Sequence, residues 1–201
     1  MPTATREAAP LALDIQPLTP DRWSDLEALF GKQGAYSGCW CMWWRLAGSD
    51  FGNAGAAGRK AAFAGIVAEG RVPGLLAYAD GVPVGWCAIA PRSEFPRFDR
   101  SRYWQPVDDR PVWSLNCFYI ARGQRGRGIA TALLSAAIAF AKERGARIVE
   151  AYPKDVDVRA SASSIYTGTV GIFLAAGFAE IARRHPERPI MRLEVEVTRD
   201  E

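Results

Sequence analysis

The chain has 201 residues, 49% of them apolar and 23% charged, with a formal net charge of only +3. That is enough for one domain with a sizeable core, and the balance of charge does not call for a nucleic-acid or anionic-membrane partner. No apolar run is long enough to span a bilayer, and residues 1–10 carry Arg6 and Glu7 without an apolar stretch, which excludes a secretory signal there. Residues 1–10 read as a frayed tail and 11–201 as a single domain, expected in the cytoplasm. Cys39, Cys41, Cys87 and Cys117 are therefore expected to be reduced thiols.

Residues 11–18 alternate as a first strand. Thr19-Pro20-Asp21 is a helix start, a capping residue followed by proline and an acid. Trp23, Leu26, Leu29 and Phe30 make an apolar stripe that Gly31 ends. Residues 31–52 are expected as a loop or broken helix holding the run Cys39-Trp40-Cys41-Met42-Trp43-Trp44-Arg45. A second helix is expected over 55–69, with Phe63, Ile66 and Val67 inward. Strands over 74–78 and 82–90 form a hairpin through Ala79-Asp80-Gly81. Residues 93–110 form a long loop of a kind that is often functional.

Residues 112–120 have few charges and read as a central strand. A Gly/Arg turn leads into a helix ending at Arg144, with Ile129, Leu133, Leu134, Ala137, Ile138 and Ala141 on one face and Gly145 as its stop. A strand over 147–152, a short helix over 169–176 and strands over 178–183 and 190–197 complete the order. The fold class is α/β (α+β), a mixed, mostly antiparallel sheet with helices on both faces.

The chemistry is concentrated in Arg125-Gly126-Arg127-Gly128-Ile129-Ala130, between a buried strand and a long helix. Glycines let backbone approach a ligand closely. The first helical turn offers unpaired amides and a positive dipole end, and two arginines add charge. A solvated basic turn is the plain structural alternative.

With its surroundings, this stretch resembles the acetyl-CoA signature of the GNAT superfamily of N-acetyltransferases. Arg125, Gly128 and Ala130 occupy the fixed positions of Arg/Gln-x-x-Gly-x-Gly/Ala, the strand and helix around them are similar, and Phe173-Leu174-Ala175-Ala176-Gly177-Phe178 is similar to the end of the family's last helix. The resemblance implies an acetyl-CoA-dependent transfer of acetyl to an amine by direct attack, with acetyl-CoA as co-substrate. It implies that Phe118, Tyr119 and Ile120 line the pantetheine arm by backbone pairing. Arg125, Gly126, Arg127, Gly128, Ile129, Ala130 and Thr131 hold the diphosphate, and an amide near 118–120 stabilises the oxyanion. The partner is a small-molecule or protein amine, and a homodimer is common in the family. No nucleic-acid, membrane or metal partner is expected.

Catalytic proton carriers are less marked. The family's tyrosine, four residues before the glycine of Gly177-Phe178, is here Phe173. Tyr166 is the substitute acid if the helix extends back to it, and Glu94 is the candidate base. Each also reads simply, Tyr166 as a packed aromatic and Glu94 as a solvated loop acid. His185 reads as a turn residue, and Asp155 and Asp157 as loop acids. Cys117 reads as packing rather than a nucleophile, and the cysteine spacing does not suit zinc. Trp40, Trp43 and Trp44 are candidates for an apolar acceptor wall, or for core. A non-catalytic CoA-binding sensor or interaction module is the alternative function. An RNA-binding surface is a third, which the acids among the loop arginines count against.

Overall fold

The computed structural model describes residues 11–155 and 164–196; the expected tail and Asp157 lie outside them. In chain order the elements are β1 (Leu13–Pro17), α1 (Trp23–Phe30), α2 (Gly48–Ala68), β2 (Gly74–Ala79), β3 (Val82–Pro91), β4 (Trp113–Ile120), α3 (Ile129–Glu143), β5 (Ile148–Ala151), α4 (Val170–Ala175), β6 (Ala179–Arg183) and β7 (Pro189–Glu194). They build one seven-stranded sheet in the order β1-β2-β3-β4-β5-β7-β6. Every pairing is antiparallel except β4 with β5. That one parallel pair needs a crossover, which α3 supplies.

Alternation along the strands splits the core. On β2, Leu75 and Ala77 face one cluster and Leu76 and Tyr78 the other. The first cluster lies under α3 and α4, receiving Ile129, Leu133, Leu134, Ala137 and Phe173. The second lies under α1 and α2, receiving Leu26, Phe30, Phe63 and Val67. A third, aromatic cluster joins Trp44, Phe95, Phe98 and Tyr152 where the 92–112 connection folds over the sheet. Gly85 lets α3 sit close to β3, since a Cβ there would come within 2.8 Å of Ile129 Cγ2. The N-terminal end of α3 is thereby pinned beside β4.

Two local expectations are corrected, while the helix expected over 55–69 is present: the stretch given as α2 is two helices meeting at a break, with Gly55 non-helical (φ 58°, ψ 179°) between a short first piece from Gly48 and the longer second one. Thr19 does not cap α1: its Oγ1 accepts from Arg22 Nη1 at 2.8 Å, and a 3₁₀ turn over Pro20–Arg22 leads into the helix. α4 does not extend back to Tyr166, because Gly168 is in a left-handed conformation (φ 84°) and Thr169 is extended.

The segment before α2 is strained. Ala35, Ser37, Trp40 and Cys41 all have positive φ, and among the described residues only Asp80 joins them outside glycine. Such conformations cost about 1–3 kcal/mol each and persist only where the surroundings impose them. Arg59 of α2 imposes this one, donating from Nε to Gly38 O and from Nη1 to Phe51 O, both at 2.7 Å.

Candidate active site

The site is built where β4 and β5 part. Their pairing ends at Leu115↔Ala151. At the same point β4 bulges: Ile89 pairs with Leu115 and Ala88 with Cys117, so Asn116 has no partner across β3. Bulges re-aim a strand and recur beside active sites. Pro153 cannot continue the β5 ladder as a donor. β4 runs on alone, and the segment around Tyr166 approaches it instead.

Along that free edge the backbone of Phe118 and Ile120 turns away from β3. Phe118 N–H donates to Tyr166 O at 2.6 Å, and Ile120 O accepts from Arg125 Nε at 3.2 Å. The expected oxyanion donor is thus satisfied by the chain itself, as buried amides require, and a ligand using it must displace the Tyr166 carbonyl. Asn116 is 1% exposed, and its Nδ2 has no hydrogen-bond partner.

At the far end of β4 the chain makes a 3₁₀ turn over Arg122–Gln124 and then the glycine loop. Gly126 and Gly128 are both left-handed (φ 74° and 78°), and a Cβ on either would meet nothing within 4 Å. Gly128 is the N-cap of α3, with no side chain capping the first turn. That first turn therefore presents unpaired amides and a positive dipole end to open space. Arg122, Arg125 and Arg127 are partly or fully exposed around it, and Arg127 Nη1 is bonded to Gln124 Oε1. The arrangement suits a diphosphate: a cradle without side chains, ringed by guanidinium groups.

On the opposite side of the parting strands stands Tyr166, half-buried. Burial pushes its phenol well above the usual tyrosine range, Cys117 adds to the rise, and Arg188 and Arg97 pull against it. It is held by its backbone to β4 and by its ring 6.5 Å from the Trp44 ring. The helical-face argument for Tyr166 is therefore replaced by a sheet contact. Phe173 is fully buried, packed against Phe118 and Phe178 with ring centroids 6.3 and 5.2 Å away.

The three tryptophans do not form one wall. Trp40 and Cys41 are left-handed in succession, which throws neighbouring side chains apart. Trp40 stacks on Trp23 at 6.1 Å and floors a recess of about 400 Å³ between α1 and α2, bordered by Glu27 and Lys60. Trp44 is buried on Phe98, ring centroids 4.6 Å apart. Trp43 is 38% exposed, under the Arg97 guanidinium at 3.7 Å.

Glu94 is bound to Arg45 and lies 3.7 Å from Arg71. Two cations already occupy the carboxylate. Cys41 and Cys117 thiols are 3.7 Å apart, and Trp86 Nε1 donates to Cys41 at 2.9 Å. The contact with Cys41, together with burial, pushes the Cys117 thiol well above its usual range, so it is not poised as a nucleophile. Burial likewise pushes Cys39 up to about 11. His185 sits in the β6–β7 turn, its Nδ1 accepting from Glu187 N at 3.2 Å. Asp155 pairs with Arg183 at 2.7 Å. No group of three or more His, Cys, Asp or Glu among the described residues is placed to hold a metal.

Sequence reasoning missed a buried network. Glu150, 2% exposed, accepts from Arg192 Nη2 at 2.6 Å and from Tyr152 Oη at 3.0 Å, and Tyr152 Oη lies 3.1 Å from Ser114 Oγ. Arg192 Nη1 also donates to Asp108 at 2.6 Å, tying the 92–112 connection to β7. An acid between Val149 and Ala151 in an otherwise apolar strand was the available signal.

Comparison with known proteins agrees with this geometry. A search of curated protein sequences finds no match. Among solved structures, the fold is similar to a GNAT-family acetyltransferase described as putative from Desulfovibrio desulfuricans (15% identity, TM-score 0.54, covering 91% of this chain and 99% of that one). It is similar to yncA, a putative acetyltransferase from Salmonella typhimurium solved with acetyl-CoA (17%, 0.51, 92% and 95%). It is also similar to a ribosomal-protein-alanine N-acetyltransferase from Brucella melitensis (20%, 0.51, 90% and 99%). The model of the acetyltransferase (GNAT) family matches residues 40–163, more than half of the chain and all of it from Trp40 through β5. The chain therefore belongs to the GNAT acetyltransferase family, enzymes that move an acetyl group from acetyl-CoA to an amine.

Proposed function

We propose that acetyl-CoA lies in the cleft between β4 and β5 with its diphosphate on residues 125–131, and that the amine enters from the side of α1, α2 and the 92–112 connection. The observation that carries this is the pair of left-handed glycines, open on their Cβ side, in front of the uncapped first turn of α3. A bound diphosphate would take up those amides. Calorimetry with CoA and with pantetheine, which lacks the diphosphate, tests it. CoA should bind more tightly by roughly two orders of magnitude, the scale of a few charge-assisted hydrogen bonds; equal affinities would refute it.

In this reading β4 supplies the surface along which the pantetheine arm extends, with Phe118, Tyr119 and Ile120 lining it. The Phe118 amide is the oxyanion donor once Tyr166 O gives way. The neutral amine attacks the thioester carbonyl directly, the attacking nitrogen gives up a proton to solvent water, and the C–S bond breaks to release the thiolate. Tyr166 is the acid for that sulfur: its proton is firmly held at neutral pH, as a donor to a leaving group requires. Glu94 is held by Arg45 and Arg71, and we assign it to holding the buried Arg45 guanidinium rather than to taking the amine's proton. Of the three tryptophans, we assign the acceptor contact to Trp43, the one that is exposed. The strain between Ala35 and Cys41 supports a functional role for this segment. No helix among the described residues is long and apolar enough to cross a membrane; we infer a cytoplasmic enzyme acting on a small-molecule or protein amine.

A further inference from the structure

We infer that the acyl acceptor is an amine carrying its own carboxylate, which sits between Arg97 and Arg188 at the Tyr166 end of the cleft; this rests on the acetyl-transfer reading above. The two arginines reach Tyr166 from different elements. Arg97, in the 92–112 connection, has its backbone amide on Trp44 O at 3.3 Å, its Nε on Leu46 O at 3.2 Å, and its guanidinium flat on Trp43. Trp44, next to Trp43, places its ring 6.5 Å from that of Tyr166. Arg188, just before β7, donates from Nη1 to Thr167 Oγ1 at 2.9 Å and from Nη2 to Ser164 O at 3.4 Å, which fixes it against the segment that carries Tyr166.

Both side chains are partly exposed, and neither has a carboxylate partner among the described residues. The acids on neighbouring elements are committed elsewhere: Glu94 to Arg45 and Arg71, Glu187 to Lys154, and Asp155 to Arg183. Their charge also reaches the phenol, since Arg188 and Arg97 are the two cations that act on it most.

Two partly desolvated guanidinium groups without a carboxylate partner among the described residues attract an anion and repel cations. A polyamine or other polycationic acceptor needs the reverse, a mouth lined with free carboxylates. Arg97 keeps its Nη edge unbonded in the described contacts, and that edge is the fork that recognises a carboxylate. Trp43, held flat beneath it, offers an apolar face to the body of the same molecule. An amine with an adjacent carboxylate and an apolar side chain fits all three features.

The test is acetyl-CoA-dependent release of free thiol with matched amines: phenylalanine against phenethylamine, tryptophan against tryptamine, methionine against 3-methylthiopropylamine, and spermidine alone. The carboxylated member of the pair that turns over should win by roughly tenfold or more in kcat/KM, the scale of one charge-assisted contact. Arg188→Gln and, separately, Arg97→Gln should bring that ratio towards unity by raising KM for the carboxylated amine. Turnover of its partner and CoA affinity should hold. Arg188→Gln stands if Arg97→Gln loosens the packing on Trp43. Preference for spermidine or for the decarboxylated amines overturns the inference, as does a loss that is equal for both members of a pair. Turnover with none of the amines, in protein that binds CoA, overturns the acetyl-transfer reading and this one with it.

Discussion

Replacing Gly128 by alanine separates the ligand role of the glycine loop from its structural role, because α3 carries its own control. Gly128 at the start of the helix and Gly145 just beyond its end are both left-handed (φ 78° and 81°), and a Cβ at either meets nothing within 4 Å. An L-residue in that conformation costs about 1–2 kcal/mol. For a chain of this size that is a fall in Tm of roughly 2–8 °C, expected equally for Gly128→Ala and Gly145→Ala. Only the Cβ at 128 projects into the space in front of the first-turn amides. Blocking hydrogen bonds to a charged group costs about 1.5–3 kcal/mol, or roughly 10- to 150-fold in affinity. Calorimetry with CoA should therefore show Gly128→Ala weakened by that factor and Gly145→Ala unchanged, at matched Tm. Equal CoA affinities in the two variants would refute the reasoning, whatever their stabilities.

Three other outcomes are expected. Tyr166→Phe keeps the carbonyl that holds Phe118 N–H and removes only the phenol proton, so kcat should fall tenfold or more, on the order of general-acid help, with CoA affinity unchanged. Unchanged turnover with a true acceptor would transfer the acid role to water. Glu94→Gln leaves the buried Arg45 guanidinium without its main partner; a loss of about 3 kcal/mol is expected, read as a fall in Tm, with kcat of the folded fraction near wild type. A catalytic base would give the opposite pattern, a stable but inactive protein. Burial raises the Cys39 thiol from 9.0 to about 11, so the folded state holds this proton more tightly than the unfolded one. Its contribution to stability is complete below pH 9 and is lost as pH rises towards 11. Alkylation of Cys39 in the folded protein should accordingly climb up to about pH 11, and a plateau near pH 9 would show the thiol to be unburied.

The parts of the fold that rest on local rules were legible in the sequence. Gly128, with its apolar stripe from Ile129 to Ala141, marks α3 and its first turn, because glycine before a 3.6-residue period is a local signal. The hairpin through Asp80-Gly81 follows in the same way. Contacts between distant elements were not legible. Asn116 carries no mark of a bulge, since a bulge is defined by the partner strand. Glu94 looks like a free loop acid until Arg45 and Arg71 arrive from elsewhere in the chain. Trp40, Trp43 and Trp44 read as one aromatic run, and only the left-handed turn at Trp40 and Cys41 sends them to three environments. A helical period does not carry Tyr166, since Gly168 interrupts it; a backbone bond joins its segment to β4 instead.

The central claim is that the amides at the start of α3 and the free edge of β4 form one acetyl-CoA site. Amide resonances of the ¹⁵N-labelled protein titrated with CoA test it most directly. The account predicts the largest shifts at Gly126, Gly128 and Ile129, and a separate change at Phe118 as its bond to Tyr166 O is exchanged for the ligand. Saturable shifts confined to residues away from the α3 N-terminus and β4, with Gly128 and Phe118 unmoved, would contradict it.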